Sequence, residues 1–136
     1  MALIGGGGAG NVSGGANPSG VGSGINYIGK HAYGYSGEIT ADTNATKLLE
    51  FDTNNTYLVA KFQPVYFTEA ASTNAFWQIL FDNQEIYQIE VTGATNGTPF
   101  QELEIIIPAF TKVKITCNAA SSTLGLGAVL TGEVYA

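Results

Sequence analysis

The side chains able to catalyse or to ligate are few in this 136-residue chain. It carries one histidine, one cysteine, eleven carboxylates and five lysines, with no arginine. The stretch Gly24-Ile-Asn-Tyr-Ile-Gly29-Lys30-His31 matches the phosphate-loop spacing G-x-x-x-x-G-K. His31 then stands where such a loop needs Ser or Thr for magnesium. A phosphate loop also needs a strand before it and a helix after it, so that the helix N-terminus faces the phosphate. Here a glycine-rich stretch precedes and an alternating pattern follows, which argues against a nucleotide. The run Gly5 to Gly8 has no helix behind it either, and reads as a linker or an assembly arm.

His31 could in principle ligate a metal or act as a base. One histidine with no cysteine close by does not make a zinc site, so it reads as a strand histidine hydrogen-bonded among Tyr33 and Tyr35. Glu50/Asp52 and Glu102/Glu104 are spaced two apart, which puts each pair on one strand face. A glycosidase would need such a pair in a cleft with one raised pKa, and calcium would need six or more oxygens. The plainer reading is a solvated face, with Lys112 and Lys114 as cross-strand partners of Glu102 and Glu104. No serine lies in a nucleophile elbow. Cys117 falls on an inward parity and reads as a small buried hydrophobe. No catalytic, cofactor-binding or metal-binding residue is expected, and the chain does not read as an enzyme.

The elements that would position these residues are strands. Aromatic and β-branched residues alternate from Ile25 to Tyr35, and the phase runs on to Ala41. Further alternating runs cover 47–52, 57–67, 75–82, 85–91, 101–107, 111–117 and 126–135. Turn clusters separate them at 41–46, 53–56, 82–84, 92–99 and 118–125. Thr53 to Thr56 reads as a hairpin connection. Pro64, inside the third run, predicts an edge position or a bulge. Glu69 to Ser72 is the best helical stretch, and it covers one turn at most. The expectation is an all-β fold: an eight-stranded antiparallel β-sandwich, a single jelly roll. An immunoglobulin-like sandwich stands second, since its Cys–Trp–Cys spacing is missing.

Residues 25–136 make up this domain, and residues 1–24 an extended Gly-rich N-terminal arm. Ten of the twenty-four arm residues are Gly, none is charged, and Leu3, Ile4, Val12 and Val21 are its sizeable apolar side chains. Such a segment cannot bury enough apolar surface to offset about 1–2 kcal/mol of backbone entropy per residue. It is expected to order by packing on neighbouring chains rather than on residues 25–136. The net charge is −6, which together with the missing arginine disfavours nucleic acid and anionic membranes. No apolar run approaches the roughly 20 residues of a membrane span. The first residues, Met-Ala-Leu-Ile-Gly-Gly, lack the basic and apolar regions of a secretory signal.

Three stretches carry a family resemblance. They are Asn26-Tyr27-Ile28-Gly29 through His31-Ala32-Tyr33-Gly34-Tyr35-Ser36-Gly37, then Ile106-Ile107-Pro108-Ala109-Phe110-Thr111-Lys112-Val113, then Leu130-Thr131-Gly132-Glu133-Val134-Tyr135. In pattern they resemble small virion proteins of marine bacteriophages. The resemblance implies a capsid-decorating or vertex-associated single jelly roll, often a homotrimer, anchored to neighbouring capsid proteins by its N-terminal arm. Leu3, Ile4, Val12, Val21, Tyr66 and Tyr135 are the expected assembly contacts, and the virion the expected location. The competing reading is a carbohydrate-binding or adhesion module that displays Tyr66, Trp77 and residues 92–99 to a glycan.

Overall fold

A computed structural model describes residues 22–67, 74–91, 102–121 and 123–135. These residues form ten strands and no helix: β1 (Asn26–Ile28), β2 (His31–Tyr35), β3 (Ile39–Ala41), β4 (Thr46–Asp52), β5 (Tyr57–Tyr66), β6 (Ala75–Phe81), β7 (Gln84–Val91), β8 (Leu103–Ile107), β9 (Lys112–Ala119) and β10 (Leu124–Tyr135). The predicted helical stretch at Glu69 to Ser72 lies outside the described residues, as does the 92–99 loop.

The chain is all-β, with two antiparallel sheets packed together. The first runs β1-β2-β10-β5-β8, with β3 also on β10; the second runs β4-β9-β6-β7. Among these connections β6 to β7 is a hairpin. Its turn residues Asp82 and Asn83 have φ of 50° and 68°, the left-handed pair that matches strand twist in a two-residue turn. Most other connections after β3 carry the chain from one sheet to the other.

This topology corrects three expectations. The first alternating run is not one strand but three. A turn at Gly29-Lys30 folds β1 back on β2, so Tyr27 pairs with Ala32 and residues of one parity end on opposite faces. Ser36 then breaks the run: its Oγ accepts from the Ala128 N–H at 2.8 Å and donates to the Gly37 carbonyl at 2.9 Å. Second, Thr53 to Thr56 is no hairpin, because β4 and β5 lie in different sheets. Thr53 instead ties that crossing to the β8–β9 crossing. Its Oγ1 donates to the Pro108 carbonyl at 2.8 Å and accepts from the Thr111 N–H at 3.0 Å. Third, β8 and β9 are not neighbours, so Lys112 and Lys114 do not face Glu102 and Glu104.

Pro64 sits in an interior strand rather than at an edge, and the register shows why this is tolerated. It is opposite Ala128, whose own N–H and C=O turn the other way, to Ser36. Pro64 therefore points its missing donor towards β8. Among the described residues that strand pairs only as far as Leu103, opposite Phe62, so no described rung is broken by the proline.

Alternation sends one parity of each central strand into the core. Leu58, Ala60, Phe62 and Tyr66 from β5 and Leu124, Leu126, Ala128 and Leu130 from β10 meet Trp77, Ile79, Val113, Ile115 and Cys117 from the second sheet. Trp77 is 0% exposed, and its indole N–H donates to the Gly127 carbonyl at 3.0 Å. This bond joins β6 to β10 across the sandwich. Gly127 leaves no room for a side chain: a Cβ would lie 2.6 Å from the Gly37 carbonyl oxygen and 2.8 Å from the Phe67 ring. Cys117 is buried, as the sequence predicts, and burial pushes its thiol up to about 12.

Trp77→Phe should lower stability by about 2–4 kcal/mol in a denaturant titration, since it leaves a void and loses the buried bond to the Gly127 carbonyl. For Cys117 the folded pKa is raised, so its contribution is intact below the unfolded value of about 8.5 and is lost as pH rises towards the folded one. The stability of the native protein relative to Cys117→Ala should therefore decline steadily above about pH 8.5. A pH-independent difference would contradict the burial of this thiol.

Candidate binding face and the root of the arm

The two outer faces of the sandwich differ in kind. On the second sheet several polar side chains engage one another. Thr116 Oγ1 donates to Gln78 Oε1 at 2.8 Å, and Gln78 Nε2 donates to Asn118 Oδ1 at 2.9 Å. Glu50 receives Lys47 at 3.1 Å and Lys112 at 3.5 Å. The Lys47 hydrogen bond, with the charges of Lys47, Lys112 and Lys114, holds the Glu50 carboxyl below the usual range. The Glu50/Asp52 pair is thus a solvated ion-pair face, not an acid–base pair in a cleft.

On the first sheet the pairing register lays outward residues in rows. One row runs Ile28, His31, Glu133, Val59, Ile106; the next runs Asn26, Tyr33, Thr131, Lys61, Glu104. Tyr35, Val129 and Gln63 follow. Neighbours in such rows have Cβ atoms about 4.5–5.5 Å apart. Among the described residues, no hydrogen bond or ion pair engages the side chains of His31, Lys61, Glu104, Thr131 or Glu133. His31 is a strand residue as expected but is exposed, and its side chain has none of the hydrogen bonds expected of it among the described residues.

A shallow depression of about 520 Å³ lies in these rows, with His31, Tyr33, Tyr35, Lys61, Glu104 and Glu133 around it. Its floor is Ala32, Gly132 and Ala60. The strands crowd together at Gly132, where a Cβ would come within 2.6 Å of the Val59 carbonyl oxygen and 2.8 Å of Ala60 Cα. Tyr33 and Tyr35 stand tilted at one side, their ring centroids 4.9 Å apart. Ile28, which also lines the depression, is 66% exposed, and Ile106 beyond it is 64% exposed.

The predicted contact residues scatter. Tyr135 is exposed and stacks on Tyr57 at 5.2 Å. Tyr66 is buried, at 5% exposure, because it ends β5 on the inward parity. Leu3, Ile4, Val12 and Val21 lie outside the described residues. Trp77 and Tyr66, the aromatic platform of the carbohydrate reading, are both in the core, so neither can be displayed. Sequence reasoning missed the depression. Tyr33, Tyr35, Lys61 and Glu104 come from three strands, and only the β2-β10-β5-β8 order brings them together.

The last residues of the arm do pack on their own chain, against expectation. The Gly22 N–H donates to the Tyr35 carbonyl at 2.9 Å, and the Ser23 carbonyl accepts from the Glu50 N–H at 2.7 Å. Tyr35 belongs to the first sheet and Glu50 to β4, the edge of the second. Gly22 and Ser23 thereby straddle both sheets and occupy backbone groups of an edge strand.

No protein-family model, curated protein or solved structure matches the chain. Its function has to be argued from its own residues.

Removing residues 1–24 should cost about 1–3 kcal/mol more than removing residues 1–21, since only the longer deletion breaks the bonds to Tyr35 and Glu50. Paired thermal or urea unfolding measures the difference. Equal stability of the two truncations would mean that the arm root adds nothing to the fold.

Proposed function

We propose that the chain is a viral structural protein, a capsid-associated subunit of the decoration, cement, vertex or spike kind. It self-assembles, as a homotrimer or a larger assembly with neighbouring capsid proteins, through its sandwich and residues 1–24. The fold is read as a single jelly roll. If β1 to β3 are counted as one strand, the two sheets run 1-8-3-6 and 2-7-4-5. That is the order produced when a folded-over ribbon of antiparallel strands wraps into two sheets.

The observation that carries the assembly reading is the arm root. Gly22 and Ser23 are held by both sheets, which fixes the point at which the Gly-rich segment joins the described domain. An uncharged segment with four sizeable apolar side chains is suited to lie against other subunits. Neighbour contacts then supply by mass action the ordering free energy that the segment lacks alone. Phe110 adds support. It is 79% exposed and has a φ of 57°, a left-handed conformation that costs a non-glycine residue about 1–2 kcal/mol. An aromatic side chain held out at that cost is a contact anchor in this reading.

Light scattering behind size-exclusion chromatography tests the proposal. The full chain should run as a trimer or larger, and the chain lacking residues 1–21 as a folded smaller species. Phe110→Gly should raise the unfolding midpoint while weakening association. A full chain that stays monomeric at high concentration would sink the assembly reading. Antibody labelling of virus particles from cells that express the chain tests the virion assignment, and unlabelled particles would remove it.

A further inference from the structure

We infer that the depression on the outer face of the first sheet is a binding site for a neutral oligosaccharide. The site comprises Tyr33 and Tyr35 from β2, Thr131 and Glu133 from β10, Lys61 from β5 and Glu104 from β8. It is separate from the arm root and from Phe110, and it stands whether or not the chain is a virion subunit.

Three features select the ligand class. The first is shape and size. A depression of about 520 Å³ lies in the range of small-ligand sites, roughly 300–1,000 Å³. It is open along the sheet, which suits a few linked sugar rings better than a compact cofactor. The second is the wall. Two tyrosine rings with centroids 4.9 Å apart and planes tilted by 38° offer apolar faces with polar hydroxyl tips. A pyranose ring has the matching character, with an apolar C–H face and a rim of hydroxyls. The third is the polar set. Glu104 and Glu133 supply acceptors, Lys61 supplies donors, and the Thr131 hydroxyl supplies both. Carboxylates accept pairs of adjacent hydroxyls, and these side chains are not engaged by other described residues.

Charge narrows the class further. Two carboxylates flank one ammonium, with Glu104 directly opposite Lys61 in the register. An anionic ligand, such as a sulfated or sialylated glycan or a phosphate, would meet net repulsion. A cationic ligand would be drawn by the carboxylates but would leave the Lys61 ammonium without a partner. A neutral polyhydroxylated ligand can use the acceptors and the donors together without leaving either charge unpaired. The second sheet differs: there Thr116, Gln78 and Asn118 bond one another.

Saturation-transfer NMR on the full chain, with maltohexaose, cellohexaose, xylohexaose and mannohexaose as probes and sialyllactose as an anionic control, tests the site. At least one neutral probe should show transfer, with its ring protons strongest. Tyr35→Ala and Glu104→Gln should each weaken that binding tenfold or more, and Tyr57→Ala, on the same sheet outside the depression, should leave it unchanged. Intrinsic fluorescence of the buried Trp77 checks that each variant is folded. Three outcomes overturn the inference: no transfer to any neutral probe, transfer that survives both Tyr35→Ala and Glu104→Gln in folded protein, or preference for sialyllactose. Because assembly is read by mass and binding by saturation transfer, failure of one leaves the other standing.

Discussion

The indole N–H of Trp77 reaching the Gly127 carbonyl is the constraint on which the rest depends. A sandwich held by apolar contact alone can slide, because burial is nearly indifferent to direction. A buried hydrogen bond between β6 and β10 sets one sheet against the other at a single place. It also falls on the strand that matters most. β10 pairs with β2, β3 and β5, so fixing β10 fixes the rows that contain Tyr33, Thr131 and Lys61. Gly127 makes this possible by omitting a side chain, since Phe67 and Gly37 close in on the space a Cβ would take.

Much of the strand content was legible, because one parity per strand goes inward and alternation records that directly. β6 and β7 with their Asp82-Asn83 turn, the inward parity of β10 and the burial of Cys117 follow from local pattern. What was not legible is which strands lie beside one another. Lys112 and Lys114 look like partners for Glu102 and Glu104 because the segments are consecutive. Thr53 and Thr111 bind the two crossings instead, and β9 is delivered to β4, where Lys112 meets Glu50. Tyr66 and Trp77 looked available for recognition on residue type alone. Their exposure is decided by the parity of strands whose sheet assignment the sequence does not contain. The depression was invisible for the same reason, being assembled from β2, β10, β5 and β8 across their pairing.

The two faces of the sandwich differ in how far their polar residues satisfy one another. Thr116, Gln78, Asn118 and the Lys47–Glu50–Lys112 group close on themselves. On the opposite face His31, Lys61, Glu104 and Glu133 stand in rows beside exposed Ile28, Val59 and Ile106. Exposed apolar groups gathered beside unengaged charges form a surface suited to being covered. The depression and the arm root are two places where the proposed roles, glycan contact and subunit contact, can be carried without sharing residues.

The attachment of Gly22 and Ser23 has a mechanical consequence. A strand joined to one sheet edge, when tugged, opens its hydrogen bonds one after another like a zip. Here a pull on the chain ahead of Gly22 is divided at once between the Tyr35 carbonyl and the Glu50 N–H. The load enters two sheets that Trp77 already fastens together. The domain would resist such tension as a riveted plate does, yielding only when both anchor points give way.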